Sequence, residues 1–345
     1  MRLDVIPEGF LERAAVAVGL VPSPIVRVMW GVAITRIVLP AMKLGFFEAI
    51  GEGEKTPEEV AMATGCDVEG TRVMLAALNG FDYLSRKGGR FSLRPATKKW
   101  ILATAPSSMR AALEFAENLD EMMSGIETSV RTGQRGGLHE APHPPEWWRR
   151  YMEGLGALSK HTGTEVARRV KIQAPQRLLD VGGGHGMYAV AFCKRHLALQ
   201  ATVLDLPDAA RVGRDMVARV GMSDRVHYLE GDLRTTPWGE GYDVILLFNI
   251  LHNLVETDAR QALERAHRSL NAGGTLLILD GDHAGHDGDL NSAEGFGELF
   301  FFSVSASSTW PEKTLRGWLD DVGFLRTRRK HLFTFPSTIL LVARK

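Results

Sequence analysis

The sequence predicts an α/β protein: a parallel sheet covered by helices on both faces in the C-terminal half, preceded by a smaller helical domain that ends in a hairpin. Three observations carry this. From Arg177 onward, short apolar runs alternate with helical segments, the pattern of βα units. The first of these runs, Arg177-Leu-Leu-Asp-Val181, breaks into glycines at 182, 183, 184 and 186 before a helix over Met187–Leu197. The first hundred residues read helix, helix, helix, hairpin. The chain divides at 1–105, 106–172 and 173–345.

With 345 residues the chain can hold two domains and a large core. Lys plus Arg and Asp plus Glu each total 41, so the net charge is zero, which argues against nucleic acid or an anionic membrane as the main partner. Cys66 and Cys193 match no metal-ligand spacing and read as ordinary thiols of a reducing, cytoplasmic compartment. Acidic residues intervene early, so a signal peptide is not expected. The apolar stretch Ile25–Ile50 carries Arg27, Arg36, Pro40 and Lys43, which makes it a poor membrane span and a better buried helix pair. No repeat or low-complexity segment stands out.

In the first domain, Phe10–Leu20 reads as a short helix broken by Pro22 and Pro24, followed by helices over Ile25–Val38 and Ala41–Ile50 with Pro40 between them. Thr56-Pro-Glu-Glu59 is a helix start, with Thr56 as N-cap, Pro57 at the first position and Glu59 completing a capping box; this helix ends at Gly65. Asp67 caps the next, which runs to about Asn79-Gly80, and Tyr83–Leu93 forms a hairpin around Gly88-Gly89. This is the winged-helix order. The segment that would read DNA, Asp67–Asn79, carries Arg72 against Asp67 and Glu69 and is otherwise apolar, which fits a scaffold or dimerisation domain better than a groove reader.

The middle segment predicts one long helix over Ser107–Thr132, a Gly/Pro/His-rich loop over Gly133–Pro145, and a second long helix over Glu146–Val170. The stripe Trp147, Trp148, Tyr151, Met152, Leu155 is core by spacing, but it directly precedes the glycine turn, so Tyr151, Met152 and Leu155 are candidates for a substrate wall. His161 reads as a surface or capping histidine.

Further strands are expected at Ala201–Asp205, Val226–Glu230, Tyr242–Phe248 and Thr275–Asp280, the last following an Asn271–Gly274 turn. Helices are expected from Asp208, over Asp258–Leu270 and over Pro311–Val322, and two antiparallel strands at Thr327–Phe333 and Thr338–Ala343. In open α/β sheets ligands sit at the carboxyl ends of the strands. Asp180, Asp205, Asp232, Asn249 and His252 all fall there. Asp205 is placed for the two hydroxyls of a ribose. Asp232 accepts only, and so suits an exocyclic adenine amine. Gly184-x-Gly186-x-x-Ala189 also fits a dinucleotide fingerprint, and NAD enzymes share the Asp205 feature, but they need neither Asp180 nor the Gly231-Asp232 pair.

At these residues the chain resembles the class I S-adenosylmethionine (SAM)-dependent methyltransferases, and within them the small-molecule O-methyltransferases of plant caffeic-acid and bacterial antibiotic-tailoring type. The pieces that match are Leu178-Leu-Asp-Val-Gly-Gly-Gly-His-Gly186, Leu204-Asp-Leu-Pro207, Glu230-Gly-Asp-Leu233, Leu251-His-Asn253 and Leu270-Asn-Ala-Gly-Gly274, in the family's order and spacing. The resemblance implies a Rossmann-like seven-stranded sheet with its last strand antiparallel, and an N-terminal winged-helix-like domain through which the chain forms a homodimer. It implies SAM as cofactor, held by Asp180, Gly182, Gly184, Asp205, Leu206, Asp232, Leu233 and Asn249. The glycine turn would carry the methionine part, Asp205 the ribose, and Asp232 with Leu233 the adenine. His252 matches the family's base, in its His-Asp-Trp motif, although Asn253 and Leu254 stand where Asp and Trp are usual. Asp280 matches one of the acidic residues that orient the imidazole, and Thr314 falls near the place of the other.

The expected reaction is methyl transfer to a hydroxyl oxygen of a small-molecule acceptor, with His252 and Asp280 catalytic. Alternatives are a C- or N-methyltransferase, a relative that binds SAM without methylating, an NAD-dependent oxidoreductase, or a winged-helix regulator. Phe300-Phe-Phe302 should turn at least one ring, Phe301, toward the acceptor, which suits a planar aromatic or polyketide-like molecule. Asp280-Gly-Asp-His-Ala-Gly-His286-Asp287 could bind a divalent metal with His252; its simpler reading is a solvated loop.

Overall fold

The computed structural model describes residues 6–7, 9–139, 141–283, 291–305, 307, 309–334 and 338–345. The chain forms two compact units, one ending at Leu113 and one beginning at Glu114.

The first unit starts with α1 (Phe10–Ala17) and α2 (Ser23–Lys43). The expected break at Pro40 does not occur: α2 runs through it. Pro40 removes the bond its N–H would have made to Arg36 O, but only the last turn follows it, and buried Val38, Ala41 and Met42 hold that turn in place. The helices α3 (Phe46–Ile50), α4 (Pro57–Thr64), α5 (Val68–Gly80) and α6 (Pro95–Trp100) complete the helical part. The capping box of α4 forms as read: Glu59 N–H donates to Thr56 Oγ1 at 3.2 Å and Thr56 N–H to Glu59 Oε2 at 2.7 Å. Asp67 Oδ1 accepts from Gly70 N–H at 2.7 Å and starts α5. Strand β1 (Glu54–Lys55), unforeseen in the sequence, joins the hairpin β2 (Leu84–Lys87) and β3 (Arg90–Leu93) in the order β1-β3-β2. Phe46, Phe47, Leu75, Leu78, Leu84 and Phe91 form the core of this unit.

The outward face of α2 is apolar. Ile25, Val28, Met29 and Val32, at the i, i+3, i+4, i+7 spacing of one helix face, are 60, 69, 66 and 60% exposed. By length and composition alone α2 is also the one helix among the described residues apolar enough to cross a membrane.

The second unit takes in most of α7 (Arg110–Met123), then α8 (Ile126–Thr132) and α9 (Pro145–Arg169). The sequence predicts a single helix over 107–132. It breaks at Ser124-Gly125, where the Ser124 hydroxyl and N–H both reach back to Glu121 O, at 2.7 and 3.2 Å, and compete with the helical ladder.

The sheet is built from β4 (Arg177–Val181), β5 (Gln200–Asp205), β6 (Val226–Glu230), β7 (Tyr242–Phe248), β8 (Leu270–Gly281), β9 (Leu325–Lys330) and β10 (Thr338–Arg344). Their order is β6-β5-β4-β7-β8-β10-β9, with β10 antiparallel to both neighbours and the other pairs parallel. The expected turn at Asn271–Gly274 is instead part of β8. Gly273 N–H bonds Lys345 O and Lys345 N–H bonds Gly274 O, both at 3.1 Å, so the ladder with the chain's last residues extends through it. The helices α10 (Met187–Arg195), α11 (Pro207–Arg219), α12 (Glu256–Ser269), α13 (Ser292–Val304) and α14 (Glu312–Val322) complete the unit.

Strand side chains alternate between two cores, as the period of two demands. Leu179, Val181, Ile245, Leu247, Leu276 and Ile278 pack with α12 and α14. Leu178, Val203, Val244, Leu246, Leu277 and Leu279 pack with α9 and α10. Burial on both faces explains why the strands read as near-continuous apolar runs. The register pairs Asp180 with Val203 and Leu246, Asp205 with Glu230, and Phe248 with Leu279, so the carboxyl ends of the central strands finish together. Whatever polar residues follow them are delivered to one edge.

Candidate active site

A cavity of about 1060 Å³ opens at that edge. Pockets for one drug-sized ligand run roughly 300–1,000 Å³, so this cavity stands at the upper end of that range. Its walls come from the glycine turn after β4, the ends of β5–β8, helices α7, α9 and α13, and the loop before α9.

The glycine turn lies against other residues so closely that side chains are excluded. Gly182 has φ +65°, and a Cβ there would lie 2.6 Å from Ile250 Cδ1; a Cβ on Gly183 would lie 2.6 Å from Asp180 Oδ2. The backbone therefore faces the cavity directly at Gly182, Gly183 and Gly184. Asp205 anchors the turn from the next strand: Gly184 N–H donates to Oδ2 at 2.6 Å and Leu206 N–H to Oδ1 at 2.7 Å. Each oxygen keeps a further lone pair for a ligand hydroxyl. Burial pushes the Asp205 carboxyl up to about 6, against the pull of those two backbone donors.

Asp180 does not reach the cavity. It is fully buried beneath Gly183, on the side of β4 that faces α10, and neither oxygen has a hydrogen-bond partner within bonding distance among the described residues. The alternation of β4 dictates this: Leu179 and Val181 face the α12 side, so Asp180 must face the other. Burial, then the neighbouring Asp205 charge, push its carboxyl up to about 7. It lies beneath the turn and is not among the residues that line the cavity.

Asp232 and Leu233 line the cavity beyond β6. Arg234 grips Asp232, with Nε at 3.0 Å from both oxygens and Nη2 at 2.7 Å from Oδ2, and holds its carboxyl below the usual range. Asn249, just past β7, is held at φ +54°, a conformation that non-glycine residues rarely adopt. Its N–H bonds Leu279 O at 2.7 Å and its side-chain amide lies 3.4 Å from Tyr188 Oη. Leu206 lines the cavity as well.

His252 sits in a 3₁₀ turn over Leu251–Asn253. Its Nδ1 bonds Asp280 Oδ1, and its N–H donates to Asp280 Oδ2 at 3.2 Å. Asp280 is buried behind the ring and is itself fixed by Gly281 N–H at 2.8 Å. With Nδ1 committed, Nε2 is the nitrogen a ligand can use. Phe301 stacks on the imidazole, with centroids 3.7 Å apart and planes at 26°. Asn253, where a carboxylate is usual in the family resembled, accepts from Ser305 Oγ at 2.6 Å. Thr314 stands on α14 and does not line the cavity.

Tyr151, Met152 and Leu155 all line the cavity from α9. Met152 Sδ lies 2.9 Å from where a Gly184 Cβ would be, so it belongs to the glycine-turn end. The structure adds residues the sequence did not single out. His139 lines the cavity from the loop before α9, and its Nε2 is 3.2 Å from Tyr151 Oη. Tyr188 and Arg234 line it too, and of the phenylalanine run both Phe300 and Phe301 do. A histidine in a loop of variable composition carries no periodic signal, so His139 could have been found only by asking which loop closes over the pocket.

In the stretch considered for a metal, His283 Nδ1 bonds Glu298 Oε1 at 2.7 Å and lies 3.2 Å from Thr309 Oγ1. His286 and Asp287 lie outside the described residues, among which no group of three His, Cys, Asp or Glu side chains comes together as a metal site.

Residues 137–293 match an O-methyltransferase domain family. A 3-hydroxy-5-methyl-1-naphthoate 3-O-methyltransferase from Streptomyces sahachiroi is 26% identical over 278 residues, covering 76% of this chain and 79% of that protein. An N,N-dimethyltransferase from Streptomyces rimosus is 27% identical over 250 residues, covering 70% of this chain and 72% of its own. The crystal structure of human N-acetylserotonin methyltransferase in complex with SAM superposes with a TM-score of 0.80 at 18% identity, covering 91% of this chain and 94% of that one.

The state of Asp180 sets a pH signature. A carboxyl raised from about 3.9 to about 7 contributes stability that is full below its unfolded value and is lost as pH rises through its folded one. An amide there does not titrate. The melting temperature of Asp180→Asn relative to the parent should therefore rise by several degrees from pH 5 to pH 8. A constant difference across that range would show that Asp180 is not a carboxyl held protonated by burial.

Proposed function

We infer, for a chain that belongs to the SAM-dependent methyltransferases and carries their O-methyltransferase domain, that the methyl group goes to a hydroxyl oxygen of an aromatic or polyketide-like acceptor, with His252 as general base. The single observation that carries the base assignment is the His252–Asp280 pair, with His252 in the cavity wall, Asp280 buried behind it, and one ring nitrogen left for a ligand. The acceptor class is supported by Phe300, Phe301, Leu155 and Leu119 in the wall, and by the naphthoate acceptor in the name of the Streptomyces sahachiroi relative. With this assignment the dinucleotide and DNA-binding readings of the sequence fall away.

The residues present fit the cofactor. The exposed backbone at Gly182–Gly184 suits the methionine part, Asp205 the ribose hydroxyls, and Asp232 with Leu233 the adenine. When bound, SAM supplies a methyl group on a sulfonium that a nucleophile can displace in line. The protein's part is to hold and to deprotonate. Aligning the acceptor oxygen is worth roughly 7–11 kcal/mol of barrier. His252 Nε2 takes the hydroxyl proton as the oxygen bonds carbon, while Asp280 holds the Nδ1 proton and stabilises the imidazolium. Phe301, stacked on the ring, fixes its plane and keeps water from that face.

An amine acceptor is the second reading, carried by the N,N-dimethyltransferase relative. Both cysteines are free thiols, which supports a reducing, cytoplasmic compartment, and the natural-product methyltransferases among the relatives support a place in secondary metabolism. The exposed stripe Ile25, Val28, Met29 and Val32 supports a homodimer that buries this face of the N-terminal unit, in preference to insertion of α2, with Arg27 and Arg36 on it, into a membrane.

Three measurements test these readings. Calorimetry should give micromolar binding of SAM and S-adenosylhomocysteine, no binding of NADH, and at least about a tenfold loss in Asp205→Ala, as expected when hydrogen bonds to a charged group are removed; tight binding of NADH would sink the assignment. His252→Ala should lower methyl transfer to a hydroxyl acceptor by about 10²–10⁴ with S-adenosylhomocysteine affinity within about twofold, and unchanged turnover would remove His252 as the base. Sedimentation equilibrium should find a dimer that the double change Val28→Asp, Val32→Asp converts to a monomer; a monomeric parent overturns the dimer.

A further inference from the structure

His139 and Tyr151 form a polar pair in an otherwise apolar stretch of the cavity wall. Phe115 packs edge-on against the Tyr151 ring at 5.7 Å, and Leu119, Leu138 and Leu155 line the wall beside them. The loop that carries His139 is not loose there. Gly136 N–H donates to Ser303 O at 2.8 Å and Leu138 N–H to Val304 O at 3.1 Å, fastening it to the end of α13. His143 Nε2 donates to Leu138 O at 2.8 Å, while its ring stacks on Trp147 at 3.7 Å. The His139 ring sits against Trp148 and Tyr151, at 6.4 and 5.9 Å.

The pair has a proton to spare. Burial, with His252 and His143 nearby, holds the His139 imidazole down at about 4, so it is neutral and carries one N–H. Burial, with the Asp205 charge, raises the Tyr151 phenol, so it keeps its O–H. The hydrogen bond between Nε2 and Oη uses one of these two protons. If the phenol donates, the imidazole proton is on Nδ1, which has no partner among the described residues. If Nε2 donates, the phenol proton has none. Either tautomer leaves one donor facing a cavity that both residues line. Both residues keep partial exposure, so water meets that donor in the free protein, and a ligand oxygen that only accepts takes the water's place.

We propose that the His139–Tyr151 pair is a second anchor for the acceptor and donates to a carbonyl oxygen of it, so that the acceptors are hydroxyaryl ketones or quinones whose reacting hydroxyl lies at His252 while the carbonyl lies at the pair. The proposal rests on the methyltransferase reading and deepens it: two fixed points in one cavity set which hydroxyl of a ring system meets the base. His139 and Tyr151 are specificity residues here; neither takes a proton from the reacting oxygen.

The test uses the full chain saturated with S-adenosylhomocysteine. The probes are 1- and 2-hydroxyanthraquinone and, with the same ring outline and no carbonyl, 1- and 2-anthrol. Calorimetry should find at least one quinone bound about tenfold more tightly than its anthrol. His139→Leu and, separately, Tyr151→Phe should reduce that preference about tenfold and leave anthrol and S-adenosylhomocysteine affinities unchanged. His139→Asn, which keeps an N–H near the Nδ1 position, should recover part of it. Equal affinities for quinones and anthrols, no quinone binding, or an equal loss for both classes in the variants each overturn the pair as a carbonyl anchor. A parent chain that does not bind S-adenosylhomocysteine overturns the methyltransferase reading itself, so the two failures are told apart before an acceptor is added.

Discussion

The site depends on one glycine turn held between two carboxylates. Asp180 fills the space beneath Gly183, and Asp205 reaches across from β5 to take the N–H of Gly184. No side chain fits at Gly182 or Gly183, so the backbone itself becomes the floor of the cavity. The turn is placed by the sheet: Gly182 N–H bonds Leu204 O at 2.7 Å, and Gly231 N–H bonds Asp205 O at 2.9 Å, so successive loops leave the strands in step. Two-sided burial of those strands makes their ends rigid, which is what a site assembled from three or four of them requires.

Much of this is legible in the sequence because it is periodic or because it is forced. β4 and β7 fall where their apolar runs fall, since strands buried on both faces are filled with apolar side chains, Asp180 inside β4 being an exception. The Thr56–Glu59 capping box is local chemistry and folds as written. The misses have physical causes of the opposite kind. At Pro40 the tertiary anchors Ala41 and Met42 outweigh a helix breaker. At Ser124 one hydroxyl outweighs a helical pattern. The two-residue strand β1 exists only because β3 offers it an edge, so nothing local marks it.

The site divides along the same line. Asp205, Leu206, Asp232, Leu233, Asn249 and His252 follow strand ends and arrive together at the cavity. Asp180 follows the same rule of alternation to a different result: on the opposite face of β4 from Leu179 and Val181, it is sent below the turn. Asp280 shows the useful form of that outcome. Being inside the strand end, it is dry and fixed by Gly281, and so it can hold His252 in one tautomer in place of the carboxylate that Asn253 lacks. His139 belongs to no strand or helix, and its position depends on two backbone bonds to α13 that no local pattern encodes.

Electrostatics links the two halves of the cavity. At the nucleotide end, Asp180 and Asp205 are both pushed toward neutrality by burial, which means each ionises at a cost that only a nearby positive group or hydroxyl donors can offset. At the acceptor end, His139 and Tyr151 are held uncharged by the same dryness, and their spare proton goes unmatched. Each end of the cavity therefore presents polar groups that a ligand could engage. A cationic, hydroxyl-rich molecule at the glycine turn and a planar one with an accepting oxygen beside His139 would each match one of these ends. On the proposed reading, selectivity for both ligands would follow from the polar groups that each end of the cavity leaves to be matched.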